Sequence, residues 1–230
     1  MRPLVIASAH DLIARNCFQW ATHGVSNLTT IALDFETDWE TYEITITRAG
    51  SEETYRQIRE ISCLTCATVE LVANLLADLP SGGPVLVIIP GGIELTSVSV
   101  RLQQAIEMPA SPLRHFRLAR AITAVDTQVA LQLLVGASDD FDVSQWMHTC
   151  RLVESPDWSD DSDATVSEVL VNDLLYADQV VLTGADTTGE DVVRQVAAHA
   201  RIDHWGELEV GPWVSCSHDV DRALARVIDE

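Results

Sequence analysis

Hydrophobic positions in this chain come in short blocks whose spacing switches between the period of a strand and that of a helix. Leu4–Ala7 is a compact apolar run, and Ala9 to Ala21 continues at helical spacing through Leu12, Ile13, Cys17 and Trp20, so a strand feeds a helix. Leu28–Leu33 is continuous and β-branched, and Tyr42–Thr47 alternates through Tyr42, Ile44 and Ile46, which predicts an edge strand with one wetter face. Ser51–Arg59 is polar and short. Val69, Val72, Ala73, Leu75, Leu76 and Leu79 then repeat at helical spacing, and Pro80-Ser81-Gly82-Gly83-Pro84 stops that helix before the strand Val85–Ile89.

The alternation continues with a helix near Leu95–Ala105, a strand at Ala121–Val125 and a helix near Gln128–Leu134. Ser138–Asp163 interrupts it with crowded aspartates and little apolar periodicity, which predicts a solvated loop with one short helix. Order resumes with a helix over Thr165–Tyr176, a strand over Gln179–Leu182, a helix over Gly189–Ala200, a strand at Glu207–Val210 and a closing helix from His218 to Ile228, which Ser217 would cap. Strand and helix in turn predict an α/β fold: a doubly wound, mostly parallel sheet with helices on both faces, in one domain spanning 1–230.

Charge narrows the partners. With 35 acidic against 14 basic residues the net charge is −21, which repels nucleic acid and anionic membranes and suits a basic protein partner or simple solubility. Trp146 and Trp158 lie among the loop aspartates, a composition suited to docking such a partner or to a lid folded on the sheet. The acidic runs lack the alternating oxygen ligands and central glycine of a calcium loop. Five scattered cysteines do not make a secreted disulfide framework, and no signal region or membrane-length apolar stretch stands out, so the expected setting is cytoplasmic.

Cys63-Leu64-Thr65-Cys66 is the strongest chemical signal. Two thiols at this spacing can hold one soft metal ion, zinc first, or close one disulfide, or pack as a relic; spacing leaves these open. Zinc would need further ligands from His10, Glu60, Glu70, His115, a partner or a second copy. Cys17, Cys150 and Cys216 read as small buried apolar groups.

A phosphate-binding turn needs glycines, inward N–H groups, a lysine and a hydroxyl for magnesium. Where the first strand meets the first helix this chain reads Ala7-Ser8-Ala9-His10-Asp11-Leu12-Ile13-Ala14-Arg15-Asn16. Glycine is missing, Asp11 adds negative charge, and Arg15 and Asn16 stand where lysine and the hydroxyl are wanted. A bound nucleotide is not expected here.

The element order nevertheless resembles that of the CobW-type family of metallochaperone GTPases, a P-loop NTPase-like fold here in degenerate form. Cys63-Leu64-Thr65-Cys66, with its following helix, resembles that family's Cys-x-Cys-Cys metal motif reduced to two thiols. Ala121–Asp126 resembles its later strand ending in Val-Asp, and Ser167–Gly184 its helix and strand before the guanine-reading Asn-Lys-x-Asp. Thr183-Gly184-Ala185-Asp186 replaces that reader, and Pro90-Gly91-Gly92-Ile93-Glu94 replaces its Glu-x-x-Gly stretch. The resemblance therefore makes Ala9, Leu12, Ala14, Arg15, Asn16, Thr183, Gly184 and Asp186 degenerate nucleotide-site positions, and Cys63 and Cys66 the metal positions.

Within the family the chain looks most like a divergent actinobacterial branch, associated with zinc limitation and with recruiting a ribosome hibernation factor; the family's C-terminal domain is expected to be absent. The implied function is a catalytically silent domain, a pseudo-GTPase rather than an enzyme, that binds a protein such as a basic ribosome-associated one and responds to zinc or oxidation. The alternatives are a weak or partner-assisted GTP-binding metallochaperone, and a non-catalytic subunit or decoy of an intact paralogue.

Overall fold

The computed structural model describes residues 1–10, 12–22, 27–35, 41–48, 51–58, 64–80, 82–135, 166–205 and 218–229. Its strands are β1 (Arg2–Ala9), β2 (Thr29–Phe35), β3 (Thr41–Arg48), β4 (Ser51–Ile58), β5 (Val85–Pro90), β6 (Phe116–Asp126), β7 (Gln179–Thr183) and β8 (Arg201–His204). The helices are α1 (Leu12–Thr22), α2 (Leu64–Asp78), α3 (Leu95–Glu107), α4 (Thr127–Leu134), α5 (Val166–Tyr176), α6 (Thr187–Val196) and α7 (Val220–Asp229).

The strands form one eight-stranded sheet in the order β4-β3-β2-β5-β1-β6-β7-β8. From β2 to β8 the pairs are parallel, and only β2–β3 and β3–β4 are antiparallel. This is the doubly wound α/β class that the alternation predicts. Leu4 pairs with Val85 and Ser8 with Ile89, so the first apolar run lies beside the Val85–Ile89 strand as that class requires.

Strand alternation decides which helices cover which face. Leu4, Ile6, Val85, Val87 and Ile89 point toward Leu71, Val72 and Leu76 of α2, Val98 and Leu102 of α3, Val169 and Tyr176 of α5 and Ala223 of α7. Val5, Ala7, Ala9, Leu86 and Ile88 point the other way, onto Ala14 and Phe18 of α1. Toward β7, Val125, Val180 and Leu182 pack with Ala130 of α4, Leu170 and Leu174 of α5 and Val193 of α6. Each large side chain withdrawn from water in this way contributes roughly 1.5–3 kcal/mol before chain entropy is subtracted.

Several sequence-based expectations change. Ser51–Ile58, polar through most of its length, is a full strand, because every residue from Ser51 to Ile58 finds a backbone partner between Thr41 and Arg48 across a two-residue connection. That strand takes the edge, so Tyr42–Thr47 lies one place inside it. β6 starts five residues before Ala121, at Phe116, since Arg2 and Pro3 offer it partners. The helix expected to reach Ala200 stops at Val196 and a short strand, Arg201–His204, closes the sheet. α2 begins at Leu64, which places Cys66 inside its first turn. α7 begins at Val220 rather than at His218, and Asp219 serves its start, accepting from Arg222 N at 3.0 Å; Ser217 lies outside the described residues. The acidic loop, the Glu207–Val210 strand, Asp11, Glu60 and Cys63 lie outside the described residues.

Candidate functional site

β1 sits between two parallel neighbours, β5 and β6, and the chain leaves their carboxyl ends in opposite directions: through α1 to β2, and through α3 to β6. In open α/β sheets this switch point is where a ligand crevice forms. Here the crevice position is occupied by the protein itself. His10 follows β1, 1% exposed, and its backbone N–H, the kind of donor that would face a phosphate, goes to Ala124 O at 3.0 Å. Gly91 N donates to Ala9 O at 2.7 Å, and a Cβ on Gly91 would stand 2.7 Å from His10 Cα, so glycine is what lets the end of β5 close on this turn.

The His10 ring meets Asp173 of α5, Nε2 to Oδ2, at 2.9 Å, with both side chains fully withdrawn from water. The other carboxylate oxygen accepts from Leu95 N at 2.9 Å, capping the start of α3, where a negative group also meets the positive end of the helix. Burial pushes the Asp173 carboxyl above the usual aspartate range, against the hydrogen bonds from His10 and Leu95 that pull it down. Ser8 Oγ also approaches His10 Nε2, at 3.3 Å. Serine, histidine and aspartate thus coincide, but hydroxyl and carboxylate share one ring nitrogen while Nδ1 has no partner. A nucleophilic relay uses opposite ring nitrogens and an accessible hydroxyl, so this cluster is structural.

Arg15 is the charged one among the other positions that the sequence resemblance aligns with a nucleotide site. Ala9 and Ala14 are buried, Asn16 is exposed, and Leu12 opens α1. Arg15 pairs through Nη1 with Asp34 of β2, a partly buried contact, so its charge is answered within the protein. Burial lowers the Arg15 pKa from its ordinary value, with Glu43 acting in the opposite sense. Glu94 accepts from Ser97 Oγ at 2.6 Å and from Asn172 Nδ2 at 3.5 Å. Asp126 caps α4, accepting from Gln128 N and Val129 N at 2.9 and 3.3 Å.

In the segment that the sequence resemblance aligns with a guanine reader, Thr183 is buried at the end of β7 and Gly184 takes φ +81°. A side chain at Gly184 would meet Asp126 Oδ2 at 2.4 Å, so only glycine fits both the torsion and the space. Asp186 caps α6 through Gly189 N at 2.8 Å, and its own N–H donates to Thr127 Oγ1 at 2.9 Å. These residues fit helix capping; they do not fit a nucleotide with magnesium.

Cys66 is half-buried, and its sulfur accepts from Arg101 Nη1 of α3 at 3.2 Å. Among the described residues no three His, Cys, Asp or Glu side chains gather as metal ligands. His10 is consumed by Asp173, Glu70 is exposed on α2, and His115 is exposed beside Phe116. A zinc site at Cys66 therefore needs donors from beyond these residues.

Asp173 is the residue that sequence reasoning passed over. Its signal is legible afterwards: an acid flanked along its helix by the buried Val169, Leu170, Leu174 and Leu175 has to find a buried partner. His218 and Asp178, 2.6 Å apart, form a second unforeseen pair. His218 lines a cleft of about 680 Å³ between the C-terminal half of α3 and α7, at the far end of α3 from His10.

No protein-family model matches the sequence, and no curated protein matches it. Among solved structures the chain is similar to a Zn(II)-bound YjiA GTPase from E. coli, at 14% identity and TM-score 0.45, over 91% of this chain and 60% of that one. A Zn(II)-bound triple mutant of YjiA GTPase is similar at 15% identity and TM-score 0.45, over 92% and 61%. The chain thus spans about 60% of the length of these structures, and at such distance the likeness carries nothing about its chemistry. Among the described residues no helix is long and apolar enough to cross a membrane.

Proposed function

We propose that this domain acts without nucleotide, as a catalytically silent CobW-like module that binds another protein, with Cys63 and Cys66 as its zinc- or redox-responsive element. The observation that carries the reading is the turn after β1, where His10 N–H is spent on Ala124 O and Arg15 on Asp34. An anion arriving there would have to displace both, and it would meet the buried carboxylate of Asp173.

At the other candidate position Arg101 lies beside the Cys66 sulfur, and a guanidinium favours thiolate, the form that both zinc ligation and disulfide exchange use. Zinc or oxidation at the pair would favour one setting of the start of α2, and a partner reading that surface would sense it by linkage. The sequence resemblance supplies the setting, zinc limitation and dormant ribosomes, and a basic ribosome-associated protein is the partner it implies.

Two measurements test the reading. Melting temperature should stay flat across millimolar GTP with magnesium; a saturable rise overturns catalytic silence. Elemental zinc should be lower in Cys63→Ser/Cys66→Ser than in the protein, or mild oxidation should remove two more titratable thiols from the protein than from that variant; equal zinc together with equal thiol loss on oxidation removes the sensor.

A further inference from the structure

Glu107 from the end of α3 and Asp219 and Asp221 from the start of α7 line one cleft of about 680 Å³, with His218 beside them. His218 is 7% exposed as a residue and its ring is wholly withdrawn from water. Its Nδ1 lies 2.6 Å from Asp178 Oδ2, and an ionised carboxylate only accepts, so Nδ1 carries the hydrogen. Tyr176 holds the ring from another side, edge-on, with centroids 4.9 Å apart. Nε2 of the neutral ring is then a bare acceptor, buried and without a hydrogen-bond partner among the described residues. A buried acceptor left in that state calls for a donor.

We propose that this cleft binds an aliphatic polyamine. One ammonium supplies the N–H that His218 Nε2 lacks, and a second is drawn by Glu107 and Asp221. The methylenes between them have Val100 and Leu224 to lie against. Charge selects a cation over an anion. A helix N-terminus ordinarily draws negative charge, but at α7 Asp219 already accepts from Arg222 N at 3.0 Å and Asp221 adds a second carboxylate in the first turn. Glu107 accepts from the neutral amide of Gln103 at 2.5 Å, and among the described residues lining the cleft none is Lys or Arg. Spacing selects an extended cation over a bare metal ion, since among the described residues no three such side chains gather to hold one. Donors and acceptors spread through a cleft of this size suit charges spread along a small flexible chain. The proposal depends on neither the thiols nor the nucleotide turn.

Isothermal titration calorimetry of the whole chain with spermidine, at about 0.15 M salt where charges beyond about 8 Å are screened, should show saturable binding at one site. Asp221→Asn should weaken it about tenfold, the loss expected for one charged hydrogen-bonding partner. Glu53→Gln makes the same change of charge on the exposed strand β4 and should alter binding by about twofold or less. Magnesium at equal charge should not displace the amine. In the chain labelled with 15N-histidine, the Nε2 signal of His218 should move toward that of a hydrogen-bonded nitrogen as spermidine saturates, while that of His10, which already has Asp173, stays in place. Absence of saturable binding overturns the proposal, as do equal losses for Asp221→Asn and Glu53→Gln, displacement by magnesium, or a His218 signal that stays fixed at saturation.

Discussion

At the end of β1, His10 and Asp173 are withdrawn from water and hold each other, whereas in the first turn of α2 Cys66 stays half-exposed and meets Arg101 from the outer part of α3. The first arrangement uses polar groups to lock three elements together: β1 through His10, α5 through Asp173 and α3 through Leu95 N. The second sets a half-buried thiol against a guanidinium of the neighbouring helix. Burial turns the polar pair at β1 into a structural lock, while the partial exposure of Cys66 leaves its sulfur within reach of reagents.

Removing the locking carboxylate should have the largest effect. Asp173→Ala strands His10 and Leu95 N in the interior and should cost about 3–5 kcal/mol in urea unfolding. Asp173→Asn should be much milder, since its carbonyl can still accept from Leu95 N while its amide donates to His10 Nε2; equal losses for the two would show that the pair does not lock these elements.

Next comes Gly189→Ala. Its Cβ would fall 1.8 Å from Thr127 O, forcing α6 away from α4 and from the Asp186 cap, at an expected cost of about 1–3 kcal/mol. Wild-type stability here would mean that the approach of α6 to Thr127 is looser than described.

The pH dependence has a definite sign. Burial raises the folded-state pKa of Asp173, so the folded chain keeps that proton to higher pH than the unfolded one. This residue's contribution is therefore fully present below the ordinary aspartate range and lost as pH rises through the raised value. Other carboxylates titrate nearby, so the quantity to measure is the difference in urea midpoint between wild type and Asp173→Asn across the acid range. That difference should move against wild type as pH rises; the opposite slope would mean that the hydrogen bonds outweigh burial.

The smallest structural effect belongs to the half-buried thiol. Cys66→Ser should change stability by no more than about 0.5 kcal/mol. In a Cys63→Ser background, Arg101→Met should slow alkylation of Cys66 severalfold at neutral pH, and an unchanged rate would separate that guanidinium from the thiol's reactivity.

The β/α alternation, the buried central strands and the absence of a glycine-rich turn after β1 were all legible in sequence, because each is a local pattern of period, β-branching or turn residue. β4 was not, since Ser51–Ile58 carries no apolar face and becomes a strand only because β3 offers it a ladder at the right register. The metal reading of His10 failed similarly: nothing near residue 10 announces an aspartate 163 positions later.

By itself, then, the sequence determined where apolar blocks turn into sheet and helix, and that no glycine-rich turn with a lysine follows the first strand. Only the tertiary structure decided what the residues around that turn do. Capping α3 with Asp173, neutralising Arg15 with Asp34 and fitting Gly184 against Asp126 are agreements between residues far apart in the chain, and chain-local patterns hold no information about partners brought together by packing.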